Sequence, residues 1–204
     1  RRAGDIAYLL VERFDRLVAQ ASLTRLHQED FCQAMGFPPE HKYAAEKGPS
    51  FSDCFTLVRD NCTQPATDLI ALLDAAIFNA VIGNADAHGK NFSLLYRPGG
   101  ITLAPLYDLM VTAYYPQVAT RFAMPIGRAN QLEDLDARAW AKFAADMQLG
   151  GPFVRRRVRK IVEKTVSASP SIVEELSGEN LDGEILKALA SIVEERANIM
   201  LRDL

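Results

Sequence analysis

The side chains that could do chemistry are concentrated in one loop and one later turn. The loop has the sequence G-N-A-D-A-H-G-K-N and contains, within six positions, Asp86, His88, Lys90 and Asn91. The later turn contributes Asp108, which lies between apolar residues. A carboxylate can orient a hydroxyl group and accept its proton, and carboxylate and amide oxygens are hard ligands for Mg²⁺. Such a set suits phosphoryl transfer, which depends on positioning and charge neutralisation.

The spacing of these residues narrows the chemistry. Asp86 and Asn91 are five positions apart, as are the catalytic-loop Asp and the metal-binding Asn of protein kinases. In those enzymes an Asp just past the next hairpin holds Mg²⁺ against the phosphates, and Asp108 has that place here. Lys90 can offset charge on the transferred phosphate. The alternative, in which these residues only shape turns and caps, requires the helix, the spacing, the hairpin and the second Asp to coincide.

Hydrophobic spacing predicts the elements that must position this loop. From Thr67 to Ile82 apolar residues recur at i, i+3, i+4 and i+7 with few polar positions, which predicts a helix buried nearly all round. Gly83 can end that helix in a left-handed conformation. Alternating residues at 92–96, a turn at 97–100 and a return strand at 101–104 predict a hairpin after the loop.

Shorter patterns predict the remaining elements. An apolar run at 6–11 predicts a buried strand that leads into a surface connection. Helical spacing predicts helices at about 26–35, 51–58, 137–147, 152–167 and 183–204, with a region of helix breakers at 167–178. We therefore predict a mainly α fold with one small hairpin and no internal repeat.

Composition excludes several broad classes of protein. The chain has 204 residues, a net charge of −3, 49% hydrophobic and 24% charged residues, which fits a globular domain and argues against a general binder of nucleic acid or membrane surfaces. No apolar run approaches the roughly 18 residues that span a bilayer. The three cysteines lack a C-x-x-C spacing, which favours reduced, mostly buried thiols in a cytoplasmic protein.

Several stretches of the sequence together resemble the HipA family of bacterial Ser/Thr kinases. These stretches are Gly83–Ser93, Leu103–Leu109, Val11–Arg16, Leu26–Gln33 and His41–Tyr43. The stretch at 11–16 resembles the hinge of that family. The resemblance covers residues from about 8 to 110 and is loose beyond 121.

The resemblance implies a protein-kinase-like C-terminal lobe in which Asp86 is the catalytic base and Asn91 and Asp108 bind Mg²⁺. It implies contacts to ATP from the side chains of His88, Lys90, Asn91, Tyr107 and Asp108 and from the backbone of Glu12, Arg13 and Phe14. It further implies a cytoplasmic persistence toxin of a toxin–antitoxin pair that phosphorylates a protein substrate. A HipB-like DNA-binding antitoxin would be its partner, so contact with nucleic acid would be mostly indirect.

One departure from the kinase pattern is large. The twelve glycines include no G-x-G-x-x-G and no G-x-x-x-x-G-K, and no V-A-I-K-like strand precedes the hinge. We expect both upstream of this sequence. Residues 1–20 are therefore predicted to be a hinge strand and connection from an N-terminal lobe, and residues 21–204 a helical C-terminal lobe. We expect this chain to fold alone but not to catalyse the transfer.

Two weaker signals have simpler explanations. The basic cluster Arg155–Lys160 could contact phosphates, but its charges alternate with apolar residues, as on the solvated face of a helix. His27, Cys32 and His41 do not match the usual spacing of zinc ligands and lack a fourth ligand.

Three functions remain in competition. The first is a Ser/Thr kinase lobe that binds Mg²⁺ and ATP, and the second is an interaction module that binds an antitoxin without chemistry. The third is a metal-dependent hydrolase that uses Asp86, His88 and Asp108. The D-x-x-x-x-N spacing and the second Asp favour the kinase, whereas a two-metal hydrolase would need more carboxylates or histidines.

Overall fold

The computed structural model describes residues 2–3, 6–8, 10–19, 22–118, 120–178 and 181–204. Its helices are α1 (Phe31–Ala34), α2 (Phe51–Asn61), α3 (Pro65–Ile82), α4 (Ala137–Asp146), α5 (Gly151–Ser177) and α6 (Gly183–Arg202). Its strands are β1 (Arg2–Ala3), β2 (Ile6–Ala7), β3 (Arg16–Ala19), β4 (Ser22–Arg25), β5 (His27–Asp30), β6 (Ser93–Arg97), β7 (Gly100–Leu103), β8 (Arg121–Ile126) and β9 (Ala129–Gln131). The fold is mainly helical with small sheets, as predicted.

The strands form small antiparallel sheets. Three of them, β1–β2, β3–β4 and β8–β9, are two-stranded, and the fourth has the order β5–β6–β7. The predicted hairpin is β6–β7, in which Leu94 pairs with Leu103. The prediction of a single hairpin was wrong, because β3–β4 and β8–β9 are further hairpins and β5 adds a third strand to β6–β7. The β3–β4 hairpin also lies across the predicted division at residue 20, and that division stays a prediction.

The central helix α3 confirms the strongest sequence pattern. Pro65 occupies the start of the helix, where its missing N–H costs nothing, and Gly83 ends it with a φ of 75°, in the left-handed region that favours glycine. Leu72 and Ile77 are fully buried. By length and composition alone α3 would pass for a membrane span, but more than half of it is buried, and the core helix of a soluble protein passes the same test.

Helices α2, α4, α5 and α6 build the core around α3 together with β7 and β8. The ring of Phe143 is central, because Phe51, Phe55 and Trp140 pack edge-on against it with ring centroids 5.4–5.8 Å away. Such edge-to-face contacts stabilise a core beyond the burial of area alone. The loop that follows α3 therefore begins from a helix that is fixed in the core.

Helix α5 is longer than the sequence suggested. Residues 167–177, predicted as a region of helix breakers, continue the helix through Pro170 and run beside α6. The hydroxyls of Ser167, Ser171 and Ser177 donate to carbonyl oxygens three or four residues earlier, which satisfies them within the helix. In the basic cluster Arg157 pairs with Asp74 of α3, and the other four charged side chains are exposed, as on a solvated face.

The predicted helix at 26–35 was wrong over most of its length. Residues 27–30 form strand β5, which pairs with β6, and only Phe31–Ala34 are helical. Asp30 begins this short helix with a reciprocal cap, in which its carboxylate accepts from the Gln33 backbone N–H and the Gln33 side chain accepts from the Asp30 N–H. Sheet pairing thus overrides the helical spacing of the apolar residues.

The predicted buried strand at 6–11 was also wrong. Only Ile6–Ala7 are strand, and Ile6, Leu10 and Val11 are 72%, 63% and 64% exposed; Leu9 lies outside the described residues. An apolar run predicts a buried strand only when a packing partner covers it. Within the described residues, no such partner covers this run.

The three cysteines are buried free thiols, as predicted. Burial raises the pKa of each thiol above its ordinary value, to about 12 for Cys62 and well above the usual range for Cys54. Their places in the fold differ. Cys32 lies under the loop that follows α3, Cys54 contacts Met124 in the core, and Cys62 ends α2.

Candidate active site

The backbone of the loop after α3 is held on both sides. The carbonyl oxygen of Gly83 accepts from the Thr112 hydroxyl at 2.9 Å and from the Ala113 N–H at 3.1 Å. The N–H of Ala85 donates to the Thr112 hydroxyl oxygen at 2.8 Å, and its carbonyl accepts from the Ala123 N–H of β8 at 2.8 Å. Because Gly83 and Ala85 are both fixed by these hydrogen bonds, the residue that follows them, Asp86, is held in a defined place.

That next residue is Asp86, the predicted catalytic base. Its backbone N–H donates to Oδ1 of Asn84 at 3.1 Å, and its side chain is half-buried. Within the described part of the chain the carboxylate accepts no hydrogen bond. It faces a cavity of about 440 Å³ that is lined further by Tyr43, Ala45, Glu46, Ala85, Val118, Arg121, Phe122 and Ala123.

The two predicted Mg²⁺ ligands lie next to each other. Nδ2 of Asn91 donates to Oδ2 of Asp108 at 2.5 Å, and Oδ1 of Asn91 accepts from the His88 N–H at 2.9 Å. Asp108 is exposed and has a φ of 56°, a left-handed conformation that Asp tolerates better than most residues. One carboxylate and one amide oxygen are suitable ligands for Mg²⁺, which fills its remaining positions with water and substrate phosphates. Asn91 presents Nδ2 to Asp108, so it would have to turn its Oδ1 towards the ion to serve as a ligand.

Tyr107 connects this pair to the hinge segment, defined as residues 10–19. Its hydroxyl donates to the Lys90 carbonyl at 2.6 Å and lies 2.7 Å from Oγ of Ser93. The Phe14 ring stacks on the Tyr107 ring with the centroids 6.1 Å apart. Burial raises the pKa of Tyr107 to about 12, so the phenol stays neutral.

The imidazole of His88 is buried beside this pair. Its Nδ1 has no hydrogen-bond partner among the described residues, and the Tyr43 ring packs edge-on against it at 5.5 Å. Burial, followed by the charge of Lys42, lowers the pKa of His88, so the ring is neutral at neutral pH. Because this nitrogen is buried as well as unpartnered, a ligand could bond to it only after neighbouring side chains move.

The other predicted ATP contacts are placed differently. Nζ of Lys90 donates to the Pro39 carbonyl at 2.7 Å, which holds the neighbouring loop rather than facing Asp108. Arg13 forms two hydrogen bonds with Asp15 at 2.8 and 2.6 Å, and Arg16 reaches the same carboxylate at 2.5 Å. Hydrogen bonding from Arg13 lowers the pKa of Asp15 to about 2. Glu12 is exposed.

Contacts thus connect Asn91, Asp108, His88, Tyr107, Phe14 and the Lys90 backbone, and Asp86 joins them through Asn84. Sequence reasoning assigned no role to Asn84, Thr112 or Ser93. One signal was present for their neighbour Asn79, a polar residue within an almost wholly apolar helix. Burial of that side chain requires hydrogen-bond partners, and one of them, Asn84, lies in the loop.

A model of the HipA-like C-terminal domain family matches residues 1–173 of this chain. The chain belongs to the HipA family. Among other HipA-family proteins, Y4mE of Sinorhizobium fredii, which is named as a kinase, is 48% identical over 201 residues, covering 98% of this chain and 48% of Y4mE. The Ser/Thr-protein kinase toxin HipA of Shewanella oneidensis is 37% identical over 183 residues, covering 83% of this chain and 42% of the toxin.

The fold also matches a solved HipA structure. The chain superposes on HipA in the complex of HipA, HipB and operator DNA from Shewanella oneidensis with a TM-score of 0.87 and 28% identity. The match covers 94% of this chain and 48% of that HipA chain. This HipA-family chain thus spans about half the length of the relatives that it matches.

Proposed function

We propose that this chain is the kinase-like C-terminal lobe of a longer Ser/Thr protein kinase, in which it supports transfer of the ATP γ-phosphate to a protein hydroxyl. The observation that carries the proposal is the hydrogen bond between Asn91 and Asp108. Asn91 lies five positions after Asp86, and Asp108 follows the next hairpin, β6–β7. The kinase names of the relatives support the same activity. We call the longer protein the parent.

The residues divide between two sides of the loop. Asn91 and Asp108 would hold Mg²⁺, which supplies neutralisation of the phosphate charge when bound. Asp86 faces the cavity of about 440 Å³, whose lining includes neither Asn91 nor Asp108. A base needs its acceptor hydroxyl within hydrogen-bond reach. The substrate hydroxyl would therefore approach Asp86 from this cavity, between Glu46 and Arg121.

The proposed contacts to ATP differ in what they require. The backbone of Glu12, Arg13 and Phe14 would contact ATP at the hinge, and His88 offers its unpartnered Nδ1. Lys90 would first have to leave the Pro39 carbonyl before it could bind a phosphate. Lys90 is therefore the weakest member of the proposed set.

We also propose that the parent is the cytoplasmic toxin of a toxin–antitoxin pair with a HipB-like antitoxin. The name of the Shewanella toxin and its solved complex with HipB and operator DNA support this partner. Contact with DNA would then pass mostly through the antitoxin. The alternative of an interaction module that binds an antitoxin without chemistry would have the same partner but would transfer no phosphate. The hydrolase lacks support, because the described residues contain no group of three His, Cys, Asp or Glu that could hold a metal.

Transfer of radiolabelled γ-phosphate tests the proposal directly. The parent is incubated with ATP, Mg²⁺ and a generic Ser/Thr protein substrate, with EDTA as the control, and labelled phosphoamino acids are identified. We expect phosphoserine or phosphothreonine only with Mg²⁺. The chain 1–204 alone, in a parallel reaction, should give no detectable turnover, because closure over the phosphates supplies much of the acceleration. Absence of Mg²⁺-dependent transfer by the parent would contradict the proposal.

A further inference from the structure

One buried side chain contacts the backbone on both sides of the proposed reaction. Asn84, which is 3% exposed, accepts from the Asp86 N–H through Oδ1 at 3.1 Å. Its Nδ2 donates to the Asp108 carbonyl at a longer 3.5 Å. The residue of the proposed base and that of the proposed metal ligand therefore share one amide group, although 22 positions separate them along the chain.

A second buried amide fixes which way round the first one points. Nδ2 of Asn79 donates to the Ala75 carbonyl at 2.9 Å, so its Oδ1 must face Asn84. That oxygen accepts from Nδ2 of Asn84 at 2.8 Å, which turns Oδ1 of Asn84 towards the Asp86 N–H. The series begins at a carbonyl, which only accepts, and ends at an N–H, which only donates. Only one orientation of each amide satisfies every partner.

The setting makes these bonds costly to lose. Asn79 is 5% exposed in a helix whose neighbouring side chains are apolar, so an unpaired amide there would find no water to replace its partner. Asp108 holds a left-handed φ of 56°, which needs support from surrounding contacts. The Asn84 amide is one such contact.

We propose that Asn84 is a positioning residue that sets the place of Asp86 relative to Asp108, and that Asn79 fixes the orientation of Asn84. This inference rests on the proposed kinase function. It assigns to the last turn of α3 a task beyond packing, because Asn79 in that turn fixes the Asn84 amide, which contacts the backbone of both Asp86 and Asp108.

The test compares Asn84→Ala and Asn79→Leu with the wild type in the parent. Turnover is measured per mole of bound nucleotide, together with the Mg²⁺ concentration for half-maximal rate. We expect Asn84→Ala to lose about a hundredfold in turnover, as expected for a misplaced reacting group. Asn79→Leu should lose about tenfold, the effect of one hydrogen bond, and should need more Mg²⁺. Its melting temperature should fall only slightly, because leucine has a similar volume and suits the apolar surroundings, although Nδ2 of Asn84 loses its 2.8 Å partner.

Asn61→Leu is the matched control, because Nδ2 of Asn61 makes the same bond to a carbonyl four residues earlier at 2.8 Å, on the exposed end of α2. It should leave turnover and Mg²⁺ dependence unchanged. Hydrogen exchange should show lost protection in Asn79→Leu at both 83–91 and 105–112. Wild-type turnover and Mg²⁺ dependence in folded Asn79→Leu and Asn84→Ala would overturn the inference. In that case, if Asp86→Asn assayed beside them abolishes transfer, the proposed kinase function stands without the inference about Asn84 and Asn79. If Asp86→Asn does not abolish transfer, both the proposed function and the inference are wrong.

Discussion

The loop at 83–91 and the first part of the hinge segment, at 10–15, both lie outside the strands and α-helices, but different contacts hold them. In the loop, Gly83 and Ala85 are hydrogen-bonded to residues of two other parts of the chain, and most side chains are buried. In the hinge segment Leu10 and Val11 are exposed, and the segment is held by the ion pairs of Asp15, the stacking of Phe14 on Tyr107 and the pairing of β3 with β4. The loop is built into the core, whereas the hinge segment lies on the surface and is held partly by charge.

The difference separates two tasks. A group that takes a proton must be held to a fraction of an ångström, which a buried network provides. If the hinge segment connects two lobes, as we propose, it must allow their relative motion, and exposed charged side chains constrain that motion less. Chemistry should therefore respond to changes in the loop, and pH should act first on the hinge segment.

The largest expected effect is on the chemical step. Asp86→Asn in the parent should lower phosphoryl transfer by about 10²–10⁴-fold and leave ATP affinity close to normal. Asp86 lines the cavity from which we propose that the acceptor hydroxyl approaches, and Asn91 and Asp108 do not line it. Autophosphorylation and nucleotide titration, run side by side, measure the two effects. A variant with near wild-type transfer would remove Asp86 from the mechanism.

Stability should follow the same contrast. Leu72→Ala empties a fully buried position of α3 and should lower the free energy of unfolding by about 2–5 kcal/mol. Leu23→Ala, at a position 66% exposed in the β3–β4 hairpin, should change it by less than about 0.5 kcal/mol. Urea unfolding of the chain measures both. Equal losses of unfolding free energy in the two variants would contradict this contrast, because they would mean that Leu23 is packed as tightly as Leu72.

Binding of Mg²⁺ and ATP should distinguish the two proposed ligands. Asp108→Ala should weaken nucleotide binding by about tenfold or more with Mg²⁺ and little without it, and Asn91→Ala should have a smaller effect. The charged ligand neutralises more of the metal's field than the amide does. Titrations with and without Mg²⁺ separate the cases. Unchanged Mg²⁺-dependent affinity in Asp108→Ala would make Asp108 a structural residue.

The smallest expected effect is a local response to pH in the hinge segment. Because Arg13 lowers the pKa of Asp15 to about 2, from an ordinary value of 3.8, the ion pairs contribute their full stability above about pH 4. That contribution is lost as the pH falls towards 2. Protection of the Leu26 N–H, which donates to the Asp15 carbonyl, should fall over this window in hydrogen exchange.

Two variants test this assignment. Asp15→Asn should remove the pH dependence of Leu26 protection, and Arg13→Ala should raise the pKa of Asp15 in an NMR titration of its carboxyl. Arg128→Ala is the matched control, because it breaks a comparable Arg–Asp pair with Asp136 far along the chain. An unchanged pKa of Asp15 in Arg13→Ala would contradict the assignment.

Local patterns were enough to predict part of the fold. Helix α3 and the hairpin β6–β7 were predictable, because their signals are periodicity and short spacing. The roles of Asp86, Asn91 and Asp108 stay predictions, although Asn91 and Asp108 do lie in contact. Strand β5 was not, because its partner β6 lies more than 60 residues away, and an isolated apolar spacing there suits a helix. Proline at 170 suggested a break, but packing along α6 outweighs one missing hydrogen bond.

The same limit applies to the candidate site. The side chain of Thr112 bonds to Ala85, 27 residues earlier, and no local feature of the sequence announces that contact. Asn79 gave a partial signal, since a polar residue in an apolar helix must find partners, but its partners could not be named. Spacing along the chain was enough to nominate Asp86, Asn91 and Asp108 as candidates, whereas contacts between distant segments could not be predicted from it.

The three buried cysteines can report local unfolding of the chain through the rates at which they are alkylated. Alkylating reagents attack thiolates, and Cys32, Cys54 and Cys62 are both covered and raised in pKa, so each reacts only after its surroundings open. Cys62 at the end of α2 should be modified first and Cys54, fully enclosed beside Met124, last. Peptide mapping after timed labelling at pH 8 would thus rank how often three regions of the molecule come apart, without the introduction of any probe.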